Sequence, residues 1–298
     1  MPRHLLSTGC VLAIALTWGC GSVASDMPDA PPANPDAPIP PKARAWSAPT
    51  PMTELNSPAG DAQPTMSADG LRVCFTSLRP GGMGVNDIWC ASRASKSVPF
   101  EQPINQAKIN TPQYDWMPSL TSDGLTLYFS SDRSGNLELY RAVFSGGEFT
   151  TPTAIASLNT TFVESGVDIS ANGLTLLFTS NRAGNFDMFL SKRPNTASEF
   201  LTVMPISSLN TAAIEAEATL APDQSFLVYC STSLSQQFML FGANAEGDGW
   251  GAPAPLTIEQ PEGLDACGPA LLSDGSLLFH SARPGGLGED DLYIALPK

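Results

Sequence analysis

Histidine is almost absent from this chain. Of 298 residues only His4 and His280 are histidine, so a Ser-His-Asp triad or a multi-histidine zinc site has next to nothing to draw on. Basic residues are scarce as well: 15 Lys and Arg stand against 29 Asp and Glu, a net charge of −14. That balance argues against self-driven binding to nucleic acid or to anionic lipid. The chain has no Gly-Lys-Ser/Thr phosphate loop, no dinucleotide fingerprint and no CxxC pair, which removes the common nucleotide and redox motifs. Long apolar runs are missing too, since the stretch at residues 11–18 is too short to span a bilayer.

What is present is turn chemistry, with 27 prolines and 25 glycines, a composition that suits a turn-rich globular unit better than a helical bundle. The first twenty residues, MPRHLLSTGCVLAIALTWGC, place Arg3 and His4 ahead of the apolar run and end on Cys20, the layout of an export signal. They resemble a bacterial lipoprotein signal, which implies cleavage after residue 19 and lipid on Cys20; an ordinary secreted protein is the alternative. Residues 20–45 are rich in Pro, Ala and Asp and cannot bury a core, so they are expected to be a tether ahead of a domain over residues 46–298. The expected location is the periplasm or outer membrane, with membrane contact only through the anchor. In oxidising surroundings the remaining cysteines Cys74, Cys90, Cys230 and Cys267 become disulfide candidates.

The strongest signal is internal repetition. Five copies of one phrase begin at Met66 (MSADGLRVCFTS), Leu120 (LTSDGLTLYFSS), Ile169 (ISANGLTLLFTS), Leu220 (LAPDQSFLVYCS) and Leu271 (LLSDGSLLFHS). Their turn residues Gly70, Gly124, Gly173, Gln224 and Gly275 are 49 to 54 positions apart. In each, an apolar strand meets an Asp-Gly or Asn-Gly turn and a second strand follows; a loop and a third strand come next. A proline-bearing segment between copies supplies a fourth strand at an outer edge, because proline cannot donate to a ladder.

Four antiparallel strands per repeat, arranged radially, describe an all-β, five-bladed β-propeller. The chain stops after a third strand, while its first repeat is preceded by an unpartnered fourth-strand segment. The last blade is therefore predicted to be closed by the N-terminal strand. The phrases SxDGxxLxFxSxRxGG and DxY resemble the WD-type repeats of TolB-like propellers, a resemblance covering residues 46–298 that departs in the fourth copy, where Gln224 and Ser233 replace Gly and Arg.

Two sets of charged residues invite a functional reading. Arg79, Arg133, Arg182 and Arg283 recur with later acids Asp87, Glu138, Asp187 and Asp291, which predicts ties between second and third strands. Asp61, Asp115, Glu164 and Glu215 each lie eight residues before the turn Asp or Asn, and Asp265 lies nine before its own. First strands line a propeller's channel, so these five are ligand-binding candidates: they either crowd the channel mouth, where a cation or a cationic ligand would offset their repulsion, or cap and pair within their own blades. No cofactor is expected beyond that possible cation. The predicted function is non-enzymatic, monomeric binding of a protein or envelope component; the alternative is a glycoside hydrolase or carbohydrate-binding propeller using channel carboxylates. Cys230 and Cys267 fall near one end of adjacent blades and are predicted to pair, as are Cys74 and Cys90 on neighbouring strands.

Overall fold

The computed structural model describes residues 45–234, 236–258 and 265–298. The signal segment, most of the tether and Cys20 lie outside the described residues. Among the described residues there is no helix; 22 strands form five antiparallel sheets. Blade one comprises Asp61–Met66, Arg72–Ser77, Asp87–Ser92 and Ile104–Asn105. Blades two to four begin with Asp115–Leu120, Glu164–Ile169 and Glu215–Leu220, and blade five with Ala266–Leu271. Blade five takes its outer strand, Thr50–Pro51, from the start of the domain, where it pairs with Asp291–Ala295. The Trp46–Pro297 bridge extends this clasp, and the Trp46 indole N–H donates to the Gly275 carbonyl at 3.0 Å.

The turn phrase has a direct physical explanation. In the first copy the Ser67 hydroxyl donates to Asp69, and Asp69 accepts the Leu71 N–H. Gly70 then takes the left-handed conformation (φ 71°) that a side chain resists. Gln224 adopts the same conformation (φ 57°) without being glycine, so the fourth turn keeps its shape at some cost in strain.

Second strands are buried on both faces. Leu127 and Phe129 pack toward blade one, whereas Tyr128 faces blade three. The same alternation in other blades places a hydrophobic cluster between each neighbouring pair, including Val73, Phe75 and Trp89 against Leu278 and Leu292 where blade one meets blade five. Burying one side chain the size of Phe129 stabilises the fold by about 1.5–3 kcal/mol. The blades are thus held by their neighbours' cores rather than by separate hearts of their own.

Candidate functional site

First strands begin at the same end of the ring where second strands finish, since Asp61 lies opposite Ser77 and Asp115 opposite Ser131. That end, the loop face, carries the five candidate acids. Asp61, Asp115 and Glu164 are wholly buried and are bound by arginines of their own second-to-third-strand loops. Arg79 reaches Asp61 at 2.6 Å, Arg133 reaches Asp115 at 2.5 Å and Arg182 reaches Glu164 at 2.9 Å. Each arginine also donates through Nε to the Ser of Ser-x-Arg. Its guanidinium lies over a pair of aromatic rings, Phe129 and Tyr140 for Arg133, at 5.2 and 4.7 Å.

The predicted pairing of Arg79, Arg133 and Arg182 with third-strand acids is therefore corrected: their partners are the first-strand acids Asp61, Asp115 and Glu164. Asp87 accepts instead from the Met83 and Gly84 N–H groups, and Asp291 from Leu287 and Gly288. Burial, and then the neighbouring blade's first-strand acid, raises the pKa of Asp87, Asp187 and Asp291. Arg79 and Arg133 thus sit beside acids, Asp61 and Asp115, that a third-strand carboxylate of the preceding blade approaches.

Backbone capping completes the site. The amides of Ser57, Thr111, Thr160 and Thr211 donate to the acid four residues on. Just ahead of them, Asn56, Asn110, Asn159 and Asn210 each accept and donate one hydrogen bond across to a third strand, as Asn110 does with both backbone groups of Ile88. These asparagine clamps were missed from sequence, although Leu or Ile, then Asn, then Ser or Thr recurs ahead of the first four copies.

Blades four and five differ. Glu215 has no arginine partner among the described residues and is held by the Thr211 amide and hydroxyl and by Ser231. In blade five Ala266 occupies the strand position opposite Ser281. Asp265 is displaced by one residue, half-buried, and accepts the Phe238 N–H at 2.7 Å. These two blades are joined by the Cys230–Cys267 disulfide (Cα separation 5.4 Å), and a second disulfide links Cys74 to Cys90 across blade one (4.1 Å).

The channel itself is lined further along the first strands. Each has a register shift after its second residue, and at that point Gln63, Met117, Gly166, Glu217 and Gly268 all take left-handed conformations (φ 49–61°). Their N–H groups point to the preceding blade. Met117 and Glu217 donate to Thr76 and Thr179, and Gln63 donates to His280 Nδ1 at 3.3 Å. His280 is thus a structural acceptor at the closing seam, and its burial lowers its pKa and favours the neutral ring.

Two residues on, Thr65, Ser119 and Thr219 hydroxyls accept first-strand amides of the blade ahead. Asp168 holds the corresponding place in blade three. It receives the Ser119 hydroxyl at 3.0 Å, and burial, opposed by hydrogen bonds from Ser119, the Leu220 N–H and Thr219, brings its pKa to about 7. Glu217, 6% exposed, has no hydrogen-bond partner of standard geometry on either carboxylate oxygen. Burial pushes its pKa up to about 8, with the Gln63 side chain and Gly268 N–H opposing. Gln63, Asp168 and Glu217 line one cavity of about 30 Å³; none of the five predicted acids borders it.

No family model matches the chain, and no curated protein matches it. Among solved structures it is similar to TolB from Acinetobacter baumannii, with a TM-score of 0.53 and 15% identity. The match covers 82% of this chain and 56% of that one. In fold, the chain is a TolB-like β-propeller. The same propeller is also similar to the α-L-arabinofuranosidase PaAbf62A from Podospora anserina, with a TM-score of 0.58 and 11% identity over 87% of this chain and 98% of that one. An α-L-arabinofuranosidase from Lactobacillus brevis follows at TM-score 0.53 and 13% identity, covering 83% and 94%. At such identities the likeness speaks to the ring of blades, and the propeller's activity has to be argued from its own residues.

Proposed function

We propose that the chain is an exported binding or scaffold propeller, tethered through Cys20, whose loop face docks a protein of the cell envelope. The observation that carries this reading is the character of that face. Met83, Val85, Leu234 and Leu287 on the second-to-third-strand loops, with Tyr114 and Phe162 just ahead of first strands, are each 41–64% exposed. Exposed apolar side chains on one end of the ring would be taken out of water by a docked partner. The surplus of acids favours a partner with basic groups among its apolar contacts.

A glycoside hydrolase reading draws on Asp168 and Glu217, two channel carboxylates in different surroundings. Their shared cavity of about 30 Å³ is the size of one water, whereas ligand pockets run to roughly 300–1,000 Å³. Space therefore favours docking over sugar binding. A photo-crosslinking residue placed at Met83 or Phe162 is expected to capture one defined envelope protein, and the M83D/V85D double variant to lose it. Capture that survives the double variant, or release of sugar from a polysaccharide panel by the purified chain, would overturn the reading.

A further inference from the structure

Glu217 is the one carboxylate among the five residues at the first-strand register shifts. It shares the left-handed conformation (φ 52°) with Gln63 and Met117, but it alone of these buries a carboxylate, whose neighbours, the Gln63 side chain and the Gly268 N–H, do not reach either oxygen in standard hydrogen-bond geometry. A buried carboxylate so poorly satisfied calls for a compensating water, ion or catalytic role. Its ring neighbours are arranged around it. Gly166 and Gly268 stand on either side, and a Cβ on Gly166 would come within 3.2 Å of Glu217 Cγ and 2.9 Å of the Thr179 hydroxyl. A Cβ on Gly268 would come within 2.9 Å of the Gln63 backbone and 2.6 Å of His280. The glycines leave the ring to one long acidic side chain.

The geometry points to Glu217 as the principal ligand of a single oxygen-seeking divalent cation, of the calcium class, held in the channel. The cavity wall carries two carboxylates, Glu217 and Asp168, and no Lys, Arg or His, so one dication balances the pair in its ionised form. Its other side-chain oxygens are the Gln63 amide and the Thr65 hydroxyl, while the Met117 thioether in the same wall is occupied by the Gly166 N–H. Pro64, Pro118 and Pro269 also border the cavity, and proline offers a carbonyl but no N–H. The wall is thereby rich in acceptors and poor in donors. The sulfurs of Cys230 and Cys267 lie within 4.8 Å of the Glu217 carboxylate, but they are joined to each other, which withholds the thiolates that zinc or copper would favour.

A volume of about 30 Å³ admits an ion or a water and excludes an organic ligand. Donors of unequal length from separate blades suit calcium, which accepts roughly six to eight oxygens in irregular arrays, better than magnesium, which demands a regular octahedron. This inference is independent of what docks on the loop face.

The test uses the full chain, stripped with EDTA and titrated with CaCl2 by calorimetry and thermal melting. The expected result is one calcium per chain and a rise in Tm that MgCl2 or KCl does not match. E217Q, which keeps the shape of the side chain, is expected to bind calcium at least about tenfold more weakly; the exposed-site control E101Q is expected to bind it as the natural chain does. Elemental analysis of the natural chain purified without chelator gives a readout that does not depend on the variant folding. Absence of both a calcium-dependent shift and bound calcium in the natural chain would overturn the inference, as would a folded E217Q that binds calcium unchanged.

Discussion

Blades one to three and blades four and five solve the same problem differently. In the first group a buried acid, an arginine and a pair of aromatic rings lock the start of the first strand to the loop beyond the second, as in Asp115, Arg133, Phe129 and Tyr140. In the second group one half of the pair is replaced each time: Ser233 stands where blade four would hold its arginine, and Ala266 where blade five would hold its acid. The Cys230–Cys267 disulfide spans the junction of these two blades. An electrostatic tie works within a blade, while the disulfide works between blades, so the two weakened units are secured to each other. The aromatic rails persist in blade four as Tyr229 and Phe241, ring centroids 5.7 Å apart, with no cation over them among the described residues.

This contrast can be broken most severely at the arginines. R133M leaves the Asp115 carboxylate buried without its partner and is expected to cost about 3–5 kcal/mol in urea unfolding. Loss of the inter-blade crosslink comes next. C230A/C267A is expected to cost about 3–4 kcal/mol, slightly more than C74A/C90A, because the loop it closes is longer, 37 against 16 residues. Differential scanning of both double variants checks the order. The contrast is sharpened by S233R, which returns a guanidinium to the Tyr229–Phe241 rails above Glu215 and is expected to add about 1 kcal/mol.

The smallest effect concerns His280. Because burial lowers its pKa in the folded ring, the unfolded chain binds the proton more readily, so this group's stabilisation is present above the ordinary histidine pKa and is lost as pH falls below about 6.5. H280T installs the acceptor type that Thr76 and Thr179 provide elsewhere. It is expected to flatten the stability of the chain between neutral and mildly acidic pH relative to the natural chain, as measured by denaturant titration.

The architecture was legible because its cause is local and repeated: an Asp-Gly turn or its Asn-Gly or Asp-Gln variant every 49 to 54 residues, and a stranded fourth-strand segment at the start. The acids were legible as a series, but their partners were not. Arg133 is five residues from Glu138 and eighteen from Asp115, yet the second strand returns to where the first began, which makes the distant acid the near one. Asp265 carried a warning in its spacing, nine residues before its turn where the others have eight; the residue at eight is Ala266. The channel lining left no pattern of residue type at all. Gln63, Met117, Gly166, Glu217 and Gly268 share a backbone conformation and no chemistry, so only position within the repeat relates them.

The clasp has a mechanical consequence. The outer strand of blade five contributes two residues, antiparallel to Asp291–Ala295, and the Lys298 N–H donates to the Ala45 carbonyl. A pull on the segment preceding Ala45 would load these bonds one after another, from Ala45 inward, rather than all together. Such peeling needs little force compared with shearing a ladder, and the seam would part before any blade lost its own sheet.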